Sequence, residues 1–243
     1  MLDGPSKLQR SLDFVRGLRY QRRDDMKLLL ISASPRKEKS RTFILAREVL
    51  RGATGKETDT EILHLCDFNI EFCRQCESCH RKILLCPIRD DVHRILTAML
   101  RSDALILASP NYINHVTASM KALFDRSSHF IHCLRLMDKY TVGVVSSGSG
   151  RDETVLDYIR YYSNVCGAQY SDGISSQAPA SERKLEEASK VGEKLYKDVK
   201  ARRKFPDQLD IIDKHREHFR TIILNRRSGW AEEYEYWSKK GWL

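Results

Sequence analysis

Three short apolar runs constrain this chain more than any other feature: Lys27 to Ala33 (KLLLISA), Ala104 to Ser109 (ALILAS) and Tyr140 to Ser147 (YTVGVVSS). Each is too short for a helix, and none alternates apolar with polar residues. An unbroken run of this length suits a strand buried on both faces, which occurs where helices cover both sides of a parallel sheet. The intervening segments supply those helices. Ser40 and Thr42 open a segment with Phe43, Ala46, Val49 and Leu50 at helical spacing, closed by Gly52. Asp90 and Asp91 precede Val92, Ile95, Leu96, Met99 and Leu100, an i, i+3, i+4, i+7, i+8 pattern with acids at its positive end. Val116, Met120, Leu123 and Phe124 mark the next helix, and another spans Glu153 to Val165. Pro179 and Ser181 introduce a long one through Leu185, Ala188, Val191, Leu195 and Val199. With weaker strands at Thr60 to Leu65 and within Ala168 to Ser175, five strands alternate with helices, and the pattern predicts a doubly wound parallel sheet.

The 243 residues suffice for one large domain or one domain with appendages. A polar leader is expected over 1–26, with scattered basic residues but no apolar core of a secretion signal. No apolar run approaches the roughly 20 residues that cross a bilayer, so a cytoplasmic protein without membrane contact is expected. The βα rhythm covers 27–204. Beyond it, 205–243 reads as a helical extension carrying Leu209, Ile212, Phe219, Ile222 and Ile223, a break at Gly229, and then Trp230, Tyr234, Tyr236, Trp237 and Trp242. Those rings require burial, against this domain or against another subunit. The net charge of +9 is spread along the chain among acids, which suits a solvated surface attractive to anionic cofactors and points away from nucleic acid.

In open α/β sheets, ligands bind beyond the carboxyl ends of the strands, where loop amides and helix N-termini converge. Three loops here have the matching chemistry. After strand one, Ser34, Arg36, Ser40, Arg41 and Thr42 combine hydroxyls, positive charge and a helix start, the needs of a phosphate monoester. Neither GxxxxGK[ST] nor GxGxxG is present, which excludes the common nucleotide loops. After strand three, Pro110 stiffens a turn in which Asn111, Tyr112, Ile113 and Asn114 offer amides and a flat ring to a heterocycle. After strand four, Ser147, Gly148, Ser149 and Gly150 let backbone approach a ligand closely.

The strings SPRKEKSRT, SPNYINHVTASMKALFDR and the Gly-Ser turn resemble the NAD(P)H-dependent FMN reductase family of flavodoxin-like proteins over roughly residues 27 to 175. The resemblance implies an α/β, flavodoxin-like doubly wound five-stranded parallel sheet of order 2-1-3-4-5 with a helical C-terminal extension. It also implies FMN, its phosphate at Ser34, Arg36, Ser40 and Thr42, and its ring against Pro110 to Ile113, with Ser147 to Gly150 on the far side. Two departures stand out: Arg41 replaces the usual Asn, which keeps or strengthens anion binding, and the third turn is partly serine, which bears on the face that would meet NAD(P)H.

Four of the seven cysteines fall in one loop, 73–86: Cys73, Cys76, Cys79 and Cys86, spaced CxxCxxCx6CP. Thiolates at steps of three can converge on an iron-sulfur cubane, with the longer spacer returning the fourth, as in the ferredoxin run. Free or redox-active thiols and a zinc site assisted by His80 are the alternatives. The run resembles that of the iron-sulfur flavoproteins, in which it holds a 4Fe-4S cluster. FMN beside such a cluster would convert two-electron into one-electron transfer, so the flavin carries the chemistry and no side chain is required as acid or base. That likeness implies a homodimer or homotetramer, because the cluster of one subunit lies near the flavin of another, with NAD(P)H as co-substrate or a ferredoxin-type or quinone partner. A cluster-free NAD(P)H:FMN or quinone reductase and a non-enzymatic flavin- or zinc-binding sensor remain the competing expectations. Cys66, Cys133 and Cys166 read as buried inert thiols, and the histidines show no spacing of a ligand set.

Overall fold

The apolar runs form the centre of one sheet. In the computed structural model, which describes residues 25–177 and 179–243, the strands are β1 (Met26–Ser32), β2 (Thr58–His64), β3 (Ala104–Pro110), β4 (Tyr140–Ser147) and β5 (Gln169–Gln177). Most of the expected leader, residues 1–24, lies outside the described residues. All neighbouring strands pair in parallel, in the order β2-β1-β3-β4-β5. Chain direction across the sheet therefore reverses between β1 and β3, the position where this fold binds ligands. Side chains of β1 alternate between two cores: Leu28 and Leu30 on one face, Leu29 and Ile31 on the other. Burial on both faces is the reason the run shows no polar alternation.

Nine helices occur among the described residues: α1 (Arg41–Ala53), α2 (Ser78–Arg81), α3 (Val92–Arg101), α4 (Ala118–Arg126), α5 (Ser128–His132), α6 (Asp152–Val165), α7 (Glu182–Lys200), α8 (Pro206–Asn225) and α9 (Ala231–Lys240). Leu45 and Val49 of α1 and Ala188 and Leu195 of α7 cover one face of the sheet. The other face is covered by Ile95 and Met99 of α3, Met120 and Leu123 of α4, and Val155 and Ile159 of α6. Gly52, expected to end the first helix, is its second-last residue, and a Cβ there would collide with the Ser189 carbonyl of α7; Gly192 meets Val49 in the same way. These two glycines allow the helices to touch backbone to backbone.

The C-terminal extension packs on its own chain. Gln208 of α8 accepts from the Asn164 side-chain amide (2.8 Å) and the Tyr170 amide (2.6 Å) and donates to the Tyr170 carbonyl (2.8 Å), joining the extension to β5. Trp237 of α9 is fully buried and donates its indole N–H to the His132 carbonyl at 3.0 Å. Together with Trp230, Ile223 and Cys133 it forms a third core, which resolves the burial of the aromatic tail in favour of this domain.

Candidate functional site

The three predicted loops meet at the carboxyl rim of β1, β3 and β4. Ser34 is buried just beyond β1 and its hydroxyl faces the Arg36 amide at 3.4 Å. Ser40 caps α1, its side chain accepting from the Phe43 amide at 3.3 Å. The first amides of a helix have no carbonyl partner within it. Arg36 and Arg41 are exposed beside this helix start. Thr42 is buried, and its hydroxyl pairs with that of Ser146 at 2.6 Å, tying the first loop to the third. At the end of β1, the buried Ser32 hydroxyl has no hydrogen-bond partner among the described residues.

Pro110 closes β3, and the Asn111 amide donates to the Ser146 carbonyl at 2.9 Å. The Asn111 side chain also donates to the Gly150 carbonyl (3.0 Å) and to Asp152 (3.1 Å), so the second loop braces the third. Tyr112 and His115 close a two-residue turn in which Ile113 and Asn114 have φ of 53° and 58°. Positive φ at a β-branched residue is strained, and Ile113 is nonetheless 99% exposed. In the third loop the Gly150 amide donates to the Ser147 hydroxyl at 3.0 Å, Gly150 has φ of 89°, and Ser149 is exposed. A Cβ on Gly148 would meet nothing within 4 Å, so the loop faces open space there.

The four loop cysteines line a second site, a cavity of about 1130 Å³ also walled by His80, Arg126, His132 and Trp230. Cys73 and Cys76 are exposed, whereas Cys79 and Cys86 are half-buried. Every sulfur lies near a polar partner: the Gln75 amide for Cys73 (3.5 Å), the Ser78 hydroxyl for Cys76 (3.4 Å), the His80 Nε2 for Cys79 (3.9 Å) and the Arg126 Nη2 for Cys86 (3.4 Å). The Ser78 contacts and nearby Arg81 hold the Cys76 thiol below its ordinary pKa. The Ser128 hydroxyl stands 3.7 Å from Cys79.

A profile of the NADPH-dependent FMN reductase family matches residues 26–178, the whole sheet and all three rim loops. The chain belongs to that family. Within it, an iron-sulfur flavoprotein of Archaeoglobus fulgidus is 30% identical over 90% of this chain and 100% of its own length. An iron-sulfur flavoprotein of Methanocaldococcus jannaschii is 37% identical over 56% of this chain and 71% of its own. These matches place this FMN reductase family member in the iron-sulfur flavoprotein branch and make it an oxidoreductase. Among solved structures, an NADH:FMN oxidoreductase aligns over 71% of this chain and 89% of its own, with a TM-score of 0.55 and 17% identity. An NAD(P)H:quinone oxidoreductase from Methanothermobacter marburgensis covers 70% of this chain and 97% of its own, with a TM-score of 0.54 and 18% identity. Both share the fold.

Several residues of this family member escape a reading of its sequence. Cys66, expected to be buried, is exposed beyond β2, with its thiol 3.8 Å from the Ser34 carbonyl. Two of the histidines, His80 and His132, lack any ligand-like spacing in the chain but converge in space. Glu233 of α9, fully buried, stands 2.7 Å from His80 Nδ1 and 3.2 Å from His132 Nδ1, and the two imidazoles stack at 4.4 Å. These three residues are the set of donors, among the described residues, close enough for a single ion; the cysteines do not form such a set. Although burial opposes its charge, His80 is raised to about 10 by its bonds to Cys79 and Glu233. Burial likewise opposes ionisation of Glu233, and the two histidines outweigh it, holding the carboxyl below its usual range.

Proposed function

We propose that this protein holds FMN at the rim of β1, β3 and β4 and a 4Fe-4S cluster in the cysteine cavity, and passes electrons between NAD(P)H or a protein donor and an acceptor. The observation that carries the reading is the common cavity of Cys73, Cys76, Cys79 and Cys86, with a polar partner at every sulfur. Hydrogen bonds to sulfur are one of the means by which proteins tune such clusters. Zinc would need four ligands about 2.0–2.3 Å from one ion, a convergence the cysteines lack, whereas a four-iron cube suits donors spread around a larger volume. The relatives named as iron-sulfur flavoproteins support the same assignment.

At the rim, the residues fit a phosphorylated flavin. Ser34, Ser40 and the first amides of α1 would hold the phosphate, with Arg36 and Arg41 supplying charge at the opening. The unpartnered Ser32 hydroxyl leaves a buried polar atom available at that end of β1. Asn111 keeps the second and third loops in register, Tyr112 offers a ring face, and the open side of Gly148 leaves room for close backbone approach. FMN, when bound, supplies hydride acceptance and single-electron release. The chain's own part is to bind, orient and exclude water, which requires no ionisable side chain as acid or base.

A homodimer or homotetramer belongs to this proposal. Exposed Ile113, Tyr112 and Phe72, the last 75% exposed, give it apolar contact surface near both sites. Chemical analysis tests the cofactor assignment. Anaerobically purified protein is expected to contain FMN together with iron and acid-labile sulfide, about four of each per chain. Flavin without iron or sulfide would leave the cluster-free FMN or quinone reductase in its place.

A further inference from the structure

Two of the four cysteine sulfurs face a nitrogen donor that is itself clamped by a buried carboxylate. Arg126, at the end of α4, directs Nη2 at Cys86 Sγ from 3.4 Å. Asp90 grips the same guanidinium at both nitrogens, 2.5 and 3.0 Å away, and the Glu71 carbonyl accepts from Nη1 at 2.7 Å. The two side chains are 2% and 1% exposed. Asp90 is fixed in turn by the Glu71 amide (2.9 Å) and the Val92 amide (3.3 Å). In the second pair, His80 presents Nε2 to Cys79 Sγ at 3.9 Å while Nδ1 meets Glu233 at 2.7 Å, its ring packed against those of His132 and Trp230. Nδ1 thus lies against the Glu233 carboxylate and Nε2 against the Cys79 sulfur, the atom that would ligate the cluster.

We propose that Arg126 and His80 are positioning residues for the cysteine-bound cluster, aimed at Cys86 and Cys79 by Asp90 and Glu233, and that they raise its reduction potential. The inference rests on the cluster assignment above. Burying a guanidinium–carboxylate pair carries a desolvation cost, and well-packed apolar residues often stabilise a fold as well or better. Aiming an N–H at a ligand sulfur is something apolar residues cannot do. Reduction adds negative charge to the cluster, so a fixed cation and an N–H bond favour the reduced form over the oxidised one. The arrangement is one-sided. Cys79 and Cys86 carry these inner donors, while Cys73 and Cys76 open to solvent.

The test is a potentiometric titration of the cluster in anaerobically purified holoprotein, wild type against Arg126→Gln, Arg126→Lys and Glu233→Gln, with iron and sulfide measured on each sample. With the cluster fully loaded, Arg126→Gln is expected to shift the reduction equilibrium at least tenfold toward the oxidised form, about 59 mV lower for a one-electron couple. Arg126→Lys, which keeps the charge but loses the fork, and Glu233→Gln, which releases His80, are expected to shift it less, in the same direction. Potentials within twofold of wild type on that equilibrium, or raised ones, overturn the proposal. Should Arg126→Gln fail to fold, the other two variants decide the matter by the same reading. Wild-type protein free of iron would instead defeat the cluster assignment itself.

Discussion

At the rim, the first loop meets the end of β4 through a pair of hydroxyls. Thr42 is the second residue of α1 and Ser146 the second-last of β4, yet their oxygens meet at 2.6 Å in a buried setting. Thr42→Val keeps the shape and removes the bond, leaving the Ser146 hydroxyl short of a partner. The expected cost is about 1–3 kcal/mol of stability, read from urea denaturation of the apoprotein, with flavin affinity falling by about tenfold, near 1.4 kcal/mol. Unchanged stability and affinity would remove this pair from the account. The cavity has its own example of a residue with an unforeseen role. Asp90 reads in the sequence as a helix-opening acid, and it does accept from the Val92 amide, but its main partner is Arg126, 36 positions away. Burial opposes ionisation of Asp90, and the Arg126 bond outweighs it, keeping the carboxyl below its usual range. Local pattern has no means of encoding such a pairing.

At the scale of elements, legibility followed burial. β1, β3 and β4 were readable because both their faces are covered, leaving unbroken apolar runs. β2 is an edge strand with four consecutive exposed residues, and it begins two positions earlier than its apolar content suggested. The helices α2 and α5, four and five residues long, carry too few turns for a period to show. The partner of the C-terminal extension was equally hidden, since an apolar stripe does not name what covers it. Contacts spanning most of the chain decide it: Glu232 accepts from the Ile83 amide at 2.8 Å, Glu233 from His80, and the Trp230 indole donates to Glu77 at 3.1 Å. The extension thus walls the cysteine cavity. Trp237→Ala, which empties the centre of this third core, is expected to cost about 3–5 kcal/mol and to expose the extension to limited proteolysis. A variant as stable and protease-resistant as wild type would contradict the docking.

For the whole molecule, buried histidines set the acid limit. Burial lowers the pKa of His93, of His129 strongly, and of His215 to about 4. Each stays neutral when folded and takes a proton when unfolded below about 6.5, so unfolding binds protons and stability declines as pH falls from 6.5 towards 4. His80 acts at the opposite end: its raised value stabilises the fold below 6.5, and that contribution is lost as pH rises through about 10. Denaturation midpoints of the apoprotein should therefore fall between pH 7 and pH 5, and His215→Asn should flatten that slope. A midpoint constant over this range would contradict the assignment. Among the described residues, no helix is long and apolar enough to cross a membrane. The dispersed charge of +9 suits attraction of phosphorylated cofactors. In the proposed function the rim and the cavity store electrons in two different groups, and an anaerobic reductive titration counts them. Flavin takes two electrons and a cluster one, so an end point at about three per chain is predicted; an end point at two, with the spectrum of flavin alone, would contradict it.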